Sequence, residues 1–196
     1  MLRMFGKRLG AYFLDILIVL ILTSLITGFV PKSEAYREAK KKESEYIDKV
    51  LNNMFDDDFD DEKLVSEAEE FRYTIDKESI PITLITVVVY LAYFGTFPYY
   101  NKGQTLGKRA ANINMNYTGG KYAHLMFILR AFVLYGLLFN LIRVVGVLTL
   151  DKSSYFTLTG IVNGLQLLFV LVTIVVFFSR KDKKTLHDLV FKTEVI

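Results

Sequence analysis

The chain has 196 residues, 52% of them hydrophobic, a net charge of +3, no cysteine and no tryptophan. That length suits one compact domain, and the missing cysteine excludes disulfides, thiolate metal sites and a thiol nucleophile. The charge is divided: residues 31–79 hold nine Lys/Arg against sixteen Asp/Glu, and the remainder holds fifteen against five. The basic residues flank apolar runs, which is the membrane pattern and excludes a nucleic-acid partner.

The N-terminus, MLRMFGKR, is short and basic. Residues 8–30, RLGAYFLDILIVLILTSLITGFV, form an apolar run long enough to cross a bilayer, which takes roughly 20 residues. Its length, its buried Asp15 and the lack of a small-x-small cleavage site distinguish it from a signal peptide. Asp15 lies about 10 Å into the run at roughly 1.5 Å per residue, and such a carboxylate needs a polar partner, water or a proton. Arg8, Ala11, Tyr12 and Asp15 share one helical face. Arg8 and Asp15 are two turns apart, so each is expected to have another partner.

The acidic segment, residues 31–79, reads as an α-hairpin outside the membrane. Ile47, Val50, Leu51 and Met54 make one stripe, and Leu64, Ala68, Phe71 and Ile75 make the other. Between them Asp56, Asp58 and Asp60, with Glu67, take positions one, three, five and twelve of a calcium loop. Asp61 stands where that loop needs glycine, so a solvated acidic tip without metal is favoured.

A second span covers residues 80–100, with Pro81 in its first turn and Pro98 ending or kinking it. The basic loop NKGQTLGKRAANINMNYTGGKYAH follows. Its alternation around Ile113 and Met115, with the Gly119-Gly120 turn, predicts a small local hairpin. GQTLGKR is not a phosphate loop, because Gly103 and Gly107 enclose three residues and Arg109 replaces the magnesium-binding Ser/Thr. Lys108 and Arg109 instead suit anionic lipid headgroups at the inner surface.

The third span, residues 125–150, carries Arg130, Asn140 and Arg143. Arg130 lies about 8 Å from its cytoplasmic end, near the depth of Asp15, so a direct Asp15–Arg130 pair is expected. Arg143 lies about 10 Å from the outer end, level with Asn163 of the fourth span, residues 156–178, where Gln166 is one turn deeper on nearly the same face. Those amides are expected to satisfy it. Gly160 and Gly164 form a small-xxx-small pair, expected to serve packing within the chain before dimerisation. The tail SRKDKKTLHDLVFKTEVI is basic and amphipathic, and Thr185 or Asp188 suits a helix cap. With only His124 and His187 available, no triad or zinc set forms.

The three basic segments face the cytoplasm by the positive-inside rule. The expected fold is therefore an all-α membrane protein. It is a four-helix transmembrane bundle with both termini cytoplasmic, an extracytoplasmic α-hairpin insert and a small cytoplasmic loop hairpin. Residues 1–30 and 80–196 make one membrane domain, and residues 31–79 make the insert.

Arg8 and Asp15 in the first span, GQTLGKR after the second, and LHDLVFKTEVI at the end together resemble the RDD family of small bacterial membrane proteins. The likeness covers the membrane core and cytoplasmic segments, not the insert. The family is named for one arginine and two aspartates, which the resemblance places at Arg8, Asp15 and Asp188. It also places the family's loop pattern at Gly103, Thr105, Gly107, Lys108 and Arg109, and an early third-span arginine at Arg130. The resemblance implies little about role, since a few members are associated with sodium or potassium/proton antiport and most have no known role. Two functions follow. In one, the Arg/Asp cluster is architectural and the outer hairpin binds an envelope partner or senses envelope conditions. In the other, Asp15 is the exchanging carboxylate of a cation/proton antiporter or channel subunit, which needs a homo-oligomer. Neither is an enzyme, and neither uses a cofactor.

Overall fold

The first span is α1 (Leu2–Thr27), closed by Gly28 N–H on the Ser24 carbonyl, with Pro31 just beyond to bar continuation. The structure, a computed structural model, describes residues 2–53, 61–113, 115–117, 122–180, 190–191 and 193–195.

The insert is an antiparallel helix pair, α2 (Glu34–Asn53) and α3 (Asp61–Glu78). Ser33 caps α2, accepting from Tyr36 N–H and donating to Glu78 at 2.6 Å, which closes the base of the pair. Ala39, Ala68 and Phe71 form its core, with Tyr46 and Ile75 against it. The α3 stripe is the expected one at Ala68, Phe71 and Ile75, but the α2 stripe is not. Ile47 and Leu51 are exposed, and Tyr46 packs its ring on Phe71 at 5.4 Å. One register step brings the larger aromatic inward, and burial scales with area. Met54 and the Leu64 side chain lie outside the described residues.

Between α3 and α4 (Ile80–Tyr90) stands a single residue, Ser79. Ser79 N–H reaches the Ile75 carbonyl and Thr83 N–H reaches the Ser79 carbonyl, both at 2.9 Å. Backbone hydrogen bonds thus flank the junction of α3 and α4 on both sides of the one non-helical residue, Ser79. The second span then passes through a π-helical turn, Leu91–Thr96, into α5 (Phe97–Tyr100). Pro98 explains the turn. It offers no N–H to the Phe94 carbonyl and its ring would strike that carbonyl, so the wider i→i+5 winding relieves both. Phe97 N–H bonds the Ala92 carbonyl in this register. Pro98 therefore widens the helix upstream instead of ending it.

The basic loop turns at Lys102 and Gly103, both with positive φ (51° and 78°), and forms the short helix α6 (Leu106–Ala110). Among the described residues the strand of the expected loop hairpin has a distant partner. Strand β1 (Met115–Tyr117) pairs antiparallel with β2 (Thr193–Val195), with Met115 opposite Val195 and Tyr117 opposite Thr193. Alternation specifies a strand but not its partner. The Gly119-Gly120 turn lies outside the described residues.

The third hydrophobic segment is not one straight span. It breaks into α7 (Ala123–Leu134) and α8 (Leu137–Thr149), bent by 66°. Gly136 makes the break at φ +65°, where side chains are disfavoured by about 1–2 kcal/mol. A Cβ there would also stand 3.0 Å from the Gln166 amide nitrogen. Gly136→Ala should therefore lower stability by about 1–2 kcal/mol, read as a lower melting temperature of purified protein.

Asp151 caps the last helix, α9 (Lys152–Ser179), by accepting from Ser154 N–H at 3.2 Å. Hydrogen bonds from Ser154 hold its carboxyl below the usual range. The close approach of α8 to α9 is made by Gly146, where a Cβ would meet Leu158 Cδ2 at 2.5 Å. Gly160 and Gly164 are not used in this way. Both face open space among the described residues.

Among the described residues three helices are long and apolar enough to cross a membrane, or four segments if the bent pair counts as one span. Their outward faces carry exposed Phe13, Leu17, Leu20 and Leu25 on α1, and Leu167, Val175 and Phe178 on α9. One buried cluster joins α1, the π turn and α7 through Val19, Tyr93, Phe94 and Ala131.

Candidate functional site

Asp15 is 2% exposed, and its two oxygens accept three hydrogen bonds. Oδ1 takes the Tyr93 hydroxyl and the Gly107 N–H, each at 2.7 Å. Oδ2 takes the Thr105 hydroxyl at 2.5 Å. Each donor is placed by a local feature of the sequence. The π turn aims Tyr93 inward. Thr105 is the N-cap of α6, so its hydroxyl also accepts from Lys108 N–H at 3.4 Å while donating to Asp15. Gly107 lets α6 lie flat on α1, since a Cβ there would sit 2.2 Å from the Ala11 carbonyl oxygen and 2.7 Å from Asp15 Cγ. Gly103 makes the preceding turn, donating its N–H to the Pro98 carbonyl at 2.8 Å. The loop that looks like a phosphate cradle thus cradles an anion after all, the chain's own carboxylate. Arg109 is exposed in the last turn of α6, and Lys108 is partly buried there.

Arg130 is buried beside this site in α7, at 7% exposure. Its field and that of Asp15 both reach Tyr135, whose ring stacks on Phe94 at 3.7 Å and Tyr12 at 6.1 Å. The expected direct Asp15–Arg130 pair is not what holds Asp15. The ion pairs within 4 Å among the described residues are Lys40–Glu43, Lys41–Glu45 and Lys49–Glu67, all in the insert. Depth fixes height along the membrane but not direction around the helix. From that direction α6 arrives first. Arg8 lies two turns ahead of Asp15 on α1. Asp188 lies outside the described residues, as do Thr185, His187, Asp56, Asp58 and Asp60. Glu67, the remaining residue of the calcium reading, meets Lys49 at 3.5 Å. Among the described residues no three metal-ligating side chains gather.

The outer cluster comes together as its depth implied. Arg143 donates to Asn140 Oδ1 at 2.9 Å, Asn163 Oδ1 at 2.6 Å and Gln166 Oε1 at 3.1 Å. Sequence reasoning missed Tyr93 as a partner of Asp15. The available signal was Pro98, which announced a backbone irregularity able to re-aim a nearby side chain. It also missed Asp76 and Tyr155, joined at 2.7 Å beneath the insert.

The model of the family described as RDD family matches residues 2–192. The chain belongs to the RDD family. The matched range runs across the insert as well as the membrane part. No curated protein and no solved structure matches the chain. In this RDD-family chain the first-span aspartate and the Gly-x-Thr-x-Gly-Lys-Arg loop are two halves of one contact.

Proposed function

We propose that this RDD-family protein is a non-transporting multi-pass protein of the cytoplasmic (inner) membrane, in which the Asp15 cluster is architectural. The outer hairpin is then the working part, binding an envelope partner or responding to envelope conditions. The observation that carries this reading is the burial of Asp15 with three hydrogen-bond donors from within the chain. An exchanging carboxylate needs an approach for its ion. Here the group is 2% exposed, and α6 lies so close on α1 that a Cβ on Gly107 would stand 2.7 Å from Asp15 Cγ. The hairpin is well coupled to the membrane part: α3 runs through Ser79 into α4, and the Tyr73 hydroxyl reaches the Val147 and Leu150 carbonyls at 3.4 Å.

The competing reading is cation/proton exchange at Asp15 by a homo-oligomer. Proteoliposomes separate the two. The architectural reading expects no sodium- or potassium-dependent proton movement above empty liposomes, and a drop in folded yield for Asp15→Asn. Flux that disappears in Asp15→Asn at normal yield would establish exchange instead.

The proposed topology counts the bent third segment as one crossing, with both termini and the Lys108–Arg109 turn at an anionic inner surface. Single cysteines at Ser44 and Lys102, both exposed positions, should label from outside and inside respectively. The reverse pattern overturns it. No enzymatic chemistry is proposed.

A further inference from the structure

Beneath the insert, where α3, α4, α8 and α9 meet, lies a cavity of about 150 Å³. Its wall includes Asp76, Ser79, Thr83, Asn140, Arg143 and Tyr155, with Val144 and Val147 as its apolar side. Two opposite charges face this space. No ion pair within 4 Å joins them among the described residues. Arg143 is fixed by three neutral amide oxygens, using three of the five N–H donors that a guanidinium carries. The amides orient the cation without neutralising it. Asp76 is fixed by one neutral donor, the Tyr155 hydroxyl at 2.7 Å. Tyr155 is itself 1% exposed and feels the fields of both Asp76 and Arg143.

A cation and an anion held apart by neutral hydrogen bonds, with hydroxyls and two valines between them, make a receptor for a molecule with the complementary pair. We propose that this cavity binds a small zwitterion, its oxyanion toward Arg143 and its ammonium toward Asp76. The same chemistry can come from a free amino acid or from the headgroup of phosphatidylethanolamine. Because Asp76 belongs to the insert and Arg143 to α8, such a ligand would tie the hairpin to the membrane part. The inference stands apart from the architectural reading of Asp15, which uses none of these residues.

The test uses the full chain, purified and delipidated in detergent, with glycine as the free probe. Glycine should bind saturably and raise the melting temperature. Methylammonium or acetate alone, each carrying one of the two charges, should not. Asp76→Asn should weaken glycine at least about tenfold, since it removes a charge-assisted contact. Val144→Phe, which fills the cavity but keeps both charges, should abolish binding. The lipid arm compares nanodiscs of phosphatidylethanolamine and phosphatidylglycerol. Stabilisation by the former alone, lost in Asp76→Asn and in Val144→Phe, assigns the headgroup as the source. The proposal is overturned if neither arm stabilises the protein. It is equally overturned if either single-charge probe reproduces the effect, or if the effect survives both variants.

Discussion

Gly107→Ala should cost about 3–5 kcal/mol and leave little folded protein, because it combines overpacking with a lost charge-assisted hydrogen bond. The added methyl carbon would stand 2.2 Å from the Ala11 carbonyl oxygen, which is backbone and cannot rotate away. α6 would have to lift off α1, and lifting it removes both the Gly107 N–H and the Thr105 hydroxyl from Asp15. Gly10→Ala is the control, for its Cβ meets nothing within 4 Å. The measurement is the monodisperse fraction and melting temperature in detergent. Equal behaviour of the two variants would mean that the loop does not dock as described.

Asp15→Ala should be nearly as damaging, at about 3–5 kcal/mol, for a different reason. It creates no clash but leaves three buried donors facing a void. Unmet buried donors cost more than the net gain of the bond they lose. Thr105→Val and Tyr93→Phe each remove a single donor and should fall well short of this loss. A cycle pairing Asp15→Ala with Thr105→Val should therefore be strongly non-additive. Additive losses would indicate that the hydroxyl and the carboxylate are not partners.

How much of this could be read from the residues alone depends on geometry. Arg143 and its amides were legible because two long helices reduce the problem to one coordinate, height along the membrane. Asn163 and Gln166, one turn apart on α9, then both fall within reach of Arg143. Asp15 announced its need for a partner but not the partner, since a folded loop reaches it from the side. The glycines of GQTLGKR failed the spacing test for nucleotide phosphate, and nothing in that test points to an internal carboxylate. The break at Gly136 was hidden inside an apolar run without proline, where one glycine does not signal left-handed backbone. Gly160 and Gly164 show the converse, a familiar spacing with no neighbour against it among the described residues. The insert stripe slipped by one position because Tyr46 and Ile47 are adjacent and both large enough to bury.

The passage from α3 through the single residue Ser79 into α4 carries a mechanical consequence. From Asp61 to the π turn the chain adds up to about 45 Å of helical rise at roughly 1.5 Å per residue, interrupted by the one non-helical step at Ser79. Tyr93 lies in that turn, its hydroxyl latched to Asp15. Hairpin and carboxylate are therefore the two ends of one helical path along the chain, and a displacement carried along that path would load this one hydrogen bond.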